Sequence, residues 1–123
     1  MKIDFTFDSI KDSFIYILGE KSPNPVDKSD LFIDYGAALD DRFAQYLYLL
    51  QEQVDLLNVA KEKNDELAMQ SALLRLRTNA MSLSSFFDAI VEDSEVILRL
   101  ETWPEIPEGY KFPENYNVPN SKK

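Results

Sequence analysis

The sequence contains neither cysteine nor histidine, and these two absences exclude more chemistry than any motif supplies. Ser-His-Asp and Cys-His nucleophilic centres, a disulfide framework and ordinary zinc sites are all ruled out. The Glu-x-x-His half-sites of di-iron helix bundles go with them. Carboxylates, Lys, Tyr and Ser are the reactive groups that remain. Glycine is scarce too: Gly19, Gly36 and Gly109 stand alone, so no Gly-rich loop can cradle a phosphate. Long apolar runs are missing, since "YLYLL" and "FIYIL" fall far short of the roughly 20 residues that span a bilayer. The opening "MKIDFTFDSIKDSF" is acidic where a secretory signal needs a positive start and an unbroken apolar core. A soluble cytoplasmic protein without membrane association is expected.

What the chain does contain is charge, mostly negative. Its 123 residues carry a net charge of -9. The bias is spread out, with seven acids against four bases in residues 1–37, eleven against six in 38–100, and four against three in 101–123. Such a field repels nucleic acid and anionic membrane at long range, and Arg75 and Arg77 are too few for a basic patch. Direct nucleic-acid binding is not expected.

Hydrophobic spacing predicts a mainly α fold built on a long antiparallel helical hairpin. In the first segment Phe43, Leu47, Leu50, Val54 and Leu57 step by four and three. Leu31, Tyr35 and Leu39 extend that stripe backward, which favours a start near Asp30 over one at Asp40 and gives a helix over 30–63. In the second segment, over 65–100, Met69, Leu73, Leu76, Ala80, Leu83, Phe87, Ile90, Ser94 and Ile97 form about four heptads of coiled-coil type. The two stripes are out of phase across "KEKNDE", where Asn64 can end one helix in a left-handed conformation and Asp65 can cap the next. In the resulting hairpin, residues whose numbers sum to about 129 face each other, which places Glu52 by Arg77 and Asp55 by Arg75.

Two helices cannot cover all the apolar surface these segments carry. Residues 1–29 are expected to supply part of the cover: Ile3, Phe5 and Phe7 alternate as a short strand would, and Ile10, Phe14, Ile17 and Leu18 fit a helical face ending at Gly19. A β-hairpin through "DSIKDS" is the competing reading. The C-terminal stretch contains Pro104, Pro107, Pro113 and Pro119, which favour an extended strap. Residues 101–112 are expected to fold back over the hairpin, completing one domain over 1–112, with 113–123 a partly flexible tail. The alternative for the strap is an arm that docks on another protein or another copy. The apolar excess further predicts a homodimer, with two hairpins forming a four-helix bundle.

A non-catalytic interaction protein is the function these features favour: an adaptor, assembly factor or inhibitor with another protein as its partner and no cofactor. In size and composition it is like small regulators of phage or mobile elements. Tyr46, Tyr48, Phe86, Trp103, Tyr110, Phe112 and Tyr116 are the expected binding residues. One alternative is an acidic mimic of nucleic acid that blocks a DNA-binding protein, although interspersed Lys and Arg dilute the surface below DNA's charge density. Another is a Mg²⁺- or Mn²⁺-dependent helical phosphohydrolase, if Asp40, Asp41, Asp88, Glu92 and Glu95 converge. The bland reading of that set is a solvated acidic face, with Asp88 paired to Arg42 and Glu95 to Arg99. Ser82, Ser84 and Ser85 lack the base and oxyanion donors that a serine nucleophile needs.

Overall fold

The computed structural model describes residues 6–25 and 27–118. Three helices carry the fold: α1 over Phe7–Lys21, α2 over Leu39–Glu62 and α3 over Glu66–Leu98. No strand occurs among the described residues. Ile3 and Phe5 of the expected strand lie outside those residues, and Phe7 opens α1. The "DSIKDS" stretch is helical, so the β-hairpin alternative does not hold. The chain passes Gly19 in helical form and leaves α1 at Ser22, whose backbone is extended before Pro23, as the proline ring requires.

Both long helices are free of Gly and Pro, and the turn between them is specified locally. Asn64 takes a left-handed φ of 54°. The Asp65 N–H reaches the Ala60 carbonyl at 3.0 Å and the Asn64 N–H reaches Lys61, which is the Schellman pattern. The Asp65 side chain then accepts from the Ala68 N–H at 3.1 Å to start α3. With 24 and 33 residues, the helices measure about 36 and 50 Å at the usual rise. Their register follows expectation to within one residue: Phe43 meets Phe86 at 5.6 Å, and the Asn79 amide donates to the Leu49 carbonyl.

Ile97 on α3 and Leu39 on α2 are buried as the stripes predict, but elsewhere the seam is rotated by one position. Ala72, Phe86 and Asp93 are buried on α3, where Leu73, Phe87 and Ser94 were expected. On α2, Leu39, Gln53 and Ala60 are buried and Val54 is exposed. Ala60 and Ala72 are both buried toward the turn, and aromatic rings fill the other end. There Phe7, Phe43, Tyr46, Phe86 and Phe87 stack with ring centroids 4.8–6.2 Å apart. Such pairs contribute about 0.5–1.5 kcal/mol each beyond their burial.

This rotation also explains the failed charge pairs. Among the described residues the ion pairs are Lys11–Asp8, Arg42–Asp34 and Arg99–Glu95. Glu52–Arg77 and Asp55–Arg75 do not form. The Glu52 carboxylate, one helical turn on from Tyr48, pushes that phenol above its ordinary pKa. Arg42 pairs with Asp34 at 3.5 Å and not with Asp88.

Helix α2 starts at Leu39, nine residues later than the favoured reading, because another group captures the backbone that would have been its first turns. The Asp93 carboxylate, on α3 and wholly buried, accepts from the N–H groups of Phe32 (2.7 Å) and Ile33 (2.9 Å) and from the Tyr35 hydroxyl (2.8 Å). A backbone whose donors point at a side chain cannot also make helical bonds. Residues 31–38 therefore run as a non-helical strap of bends, with a turn closed by the Ala37 N–H on the Asp34 carbonyl, held to α3 through Asp93. Burial first, and then the neighbouring Asp93 carboxylate, push the Tyr35 phenol well above its ordinary value.

The N-termini of α1 and α2 cap each other. Asp40 accepts from the Phe7 N–H at 2.7 Å, and Asp8 accepts from the Leu39 N–H at 2.7 Å and the Asp40 N–H at 3.4 Å. Neither Thr6 nor Ala38, the local cap positions, contributes a side-chain bond. Two positive dipole ends are thus each matched by a carboxylate from the other helix. Lys11 completes the joint, binding Asp8 at 3.2 Å and donating to the Ala37 carbonyl. The Leu39 N–H, aided by Lys11, holds the Asp8 carboxyl below its ordinary pKa.

Candidate protein-docking surface

After α3 the chain is anchored at its first residues. Thr102 Oγ1 donates to the Lys21 carbonyl, Trp103 Nε1 donates to the Ile97 carbonyl, and the Lys21 ammonium lies 5.1 Å from the Trp103 ring centre. Every residue from Glu101 to Val118 is exposed. The expected fold-back of residues 101–112 is anchored at Thr102 and Trp103, and the residues after them keep much of their surface exposed. Ile106 is 82% exposed, and Tyr110, Phe112 and Tyr116 are each more than half exposed.

Local turns nevertheless give this tail a definite shape. Tyr110 N–H bonds the Pro107 carbonyl at 3.1 Å with Gly109 at φ 76°, the left-handed position that a type II turn assigns to glycine. A second turn closes from Tyr116 to Pro113, and Asn117 follows at φ 57°. Tyr110 and Phe112 meet edge to face at 5.8 Å.

On the hairpin, two cavities of about 600 and 300 Å³ adjoin at Thr78. The larger lies between α2, α3 and the strap at Phe32–Asp34, with Met81, Phe86 and Ile90 in its wall and Arg42 and Arg77 at its rim. The smaller is lined by Leu49, Gln53, Leu74 and Arg75. Three of the chain's four arginines thus edge one groove. Neither Arg75 nor Arg77 has an ion-pair partner among the described residues. Gln53 is 9% exposed, and its Oε1 is buried without a donor.

Apolar surface is also left open elsewhere. Val54, Leu67, Leu73, Leu74, Phe87 and Val91 are exposed, the consequence of a stripe wider than the seam. The chain exposes 9811 Å², roughly 3,000 Å² more than the about 6,800 Å² expected of a compact monomer of 14.2 kDa.

The seven residues expected to bind a partner separate into two groups. Tyr48, Tyr110, Phe112 and Tyr116 are exposed, and Trp103 sits at the root of the tail. Tyr46 and Phe86 are packed together at 6.2 Å in the aromatic core, where Phe86 is 9% exposed. The rotated seam put them there. Asp40, Asp41, Asp88, Glu92 and Glu95 are not drawn to a point: among the described residues, no group of three or more carboxylates could hold a metal ion. No helix among them is long and apolar enough to cross a membrane. The groove was not foreseen, because Arg42 and Arg75 lie 33 positions apart and only the hairpin register joins them. No protein-family model, curated protein or solved structure matches this chain.

Proposed function

We propose that this chain is a non-catalytic protein–protein interaction module, an adaptor, assembly factor or inhibitor, that docks through its Pro-aromatic tail and the apolar surface of its hairpin. The exposed tail is the observation that carries this reading. Tyr110 and Tyr116 are each more than half exposed, and turns fix the backbone that presents them. Aromatic anchors dominate binding energy at protein interfaces, and a backbone already turned loses less entropy on docking. The unburied surface supports the same reading, since large apolar patches on small domains mark association sites. A homodimer is one form such association takes.

The test is affinity capture from the source cells with the full chain, a chain ending at Phe112, and a Tyr110→Ser/Phe112→Ser variant. Specific capture by the full chain alone, with unchanged circular dichroism for all three, is expected. Equal capture by the shortened and substituted chains would remove the tail from the binding surface. Absence of any specific partner, a second copy included, would refute the module.

A further inference from the structure

The groove and the exposed tail are complementary in charge and in apolar content. The groove is bordered over an apolar floor by Arg75 and Arg77, which have no ion-pair partner among the described residues, and by Arg42 with its partner Asp34. Between Glu101 and Val118 the tail carries Glu101, Glu105, Glu108 and Glu114 against Lys111 alone, interleaved with Ile106, Tyr110, Phe112 and Tyr116. From Ile90 to Leu74 the groove follows α3 for sixteen residues, about 24 Å at the helical rise. Roughly eight residues of fully extended chain cover that length at about 3.1 Å each. The twelve from Glu105 to Tyr116 therefore suffice with the Pro107–Tyr110 turn kept. The orphaned Gln53 Oε1 in the floor needs a donor, and a non-helical chain brings free backbone N–H groups.

We infer that Glu105–Tyr116 of one copy lies in the arginine-edged groove of a second copy. This deepens the interaction-module reading and rests on it by naming the partner. The second copy is favoured over the chain's own groove by the path of the tail. Thr102 and Trp103 pin its root beside Lys21, at the end of α1. None of the described residues of α1 or of the tail lines either cavity. The root of the tail is therefore held beside an element that does not border the groove. Reciprocal exchange of two tails gives a closed two-fold dimer, in which each groove is filled once.

The experiment uses three full-length chains: the wild type, the groove variant Arg75→Glu/Arg77→Glu, and the tail variant Glu105→Lys/Glu108→Lys. All four substituted side chains are exposed, and matching circular dichroism checks that the fold is intact. Analytical ultracentrifugation should show a dimer for the wild type. Each variant alone should associate about a hundredfold or more weakly, because like charges then face each other. An equimolar mixture of the two variants should regain a heterodimer, since the reversed groove now matches the reversed tail. Wild-type dimers that neither variant weakens would overturn the tail-in-groove contact and leave self-association through another face. A wild type that stays monomeric at high micromolar concentration would overturn the second copy as occupant, while foreign-partner capture in the preceding test would still stand.

Discussion

Replacing Asp93 with alanine should be the most damaging single change in this protein. Its carboxylate is fully buried, has no ion-pair partner among the described residues, and holds three donors at 2.7–2.9 Å. Hydrogen bonds to a charged group contribute about 1.5–3 kcal/mol each. Alanine forfeits all three, but the Phe32 N–H and the Tyr35 hydroxyl are only partly buried and can turn to water. The Ile33 N–H is buried and is stranded. The net loss is therefore about 3–5 kcal/mol, a large share of the 5–15 kcal/mol typical of a domain. With a urea m-value of about 1.5 kcal/mol per molar, the midpoint should fall by about 2–3 M. Tyr35→Phe should cost about 1 kcal/mol, and less than that in the Asp93→Ala background, because the two share one bond. A midpoint shift under about 0.5 M for Asp93→Ala would show that the strap does not depend on this carboxylate.

Further outcomes follow from the same structure. Asp40→Ala should lower stability by about 1 kcal/mol although it lies inside α2, because it caps α1; Asp8→Ala should lower the melting temperature for the reciprocal reason. The Asp8 contribution should be present above the ordinary carboxylate range and vanish as pH falls through its lowered folded value, which unfolding curves from pH 6 to 3 would show as a smaller acid sensitivity in Asp8→Ala. The Tyr35 phenol binds its proton more tightly in the folded state, so wild-type stability should hold below pH 10 and decline as pH rises beyond it, with a weaker decline in Tyr35→Phe when urea midpoints are compared from pH 9 to 11.5. Gln53→Met should raise the stability of the tail-truncated chain by about 1 kcal/mol in thermal unfolding, since it removes a buried acceptor without a donor.

The parts of this fold that were legible in the sequence are those specified by neighbours in the chain. Asn64 and Asp65 carry the whole turn signal within two residues, and from that turn the register to Phe43–Phe86 follows by counting. The Glu95–Arg99 pair is likewise local, at 2.9 Å. What hydrophobicity could not reveal was which edge of a broad apolar face would become the seam. Ala72 and Asp93 win over Leu73 and Ser94 because close packing favours a small side chain at one point and three donors await a carboxylate at another. Those donors lie sixty residues away in the chain, as do the reasons for the late start of α2. The cross-caps of Asp8 and Asp40 span more than thirty residues and leave no local trace. Of the candidate site, the tail aromatics were readable from composition but their exposure was not, since residues 101–112 were expected to cover the hairpin, and the groove exists only once α2 and α3 are paired.

Net charge and local charge make opposite demands on self-association, and this gives the tail-in-groove contact a distinctive salt dependence. Two copies at -9 each repel over the whole molecule. At 0.01 M salt the screening length is about 30 Å, comparable to the molecule, and that repulsion acts in full. Near 0.1 M the length falls to about 10 Å, which screens the global term while leaving Glu105 and Glu108 free to pair with Arg75 and Arg77 at contact distance. At 1 M, about 3 Å, the rim pairs weaken as well. Dimerisation measured by sedimentation should therefore rise from 0.01 to about 0.1–0.2 M salt and fall again toward 1 M. In the Arg75→Glu/Arg77→Glu variant the falling branch should disappear, because only repulsion is left to screen. A wild-type association that strengthened steadily up to 1 M would point to a purely apolar interface, of the kind the exposed Leu73 and Phe87 flank could form, and would refute the role given to the arginines.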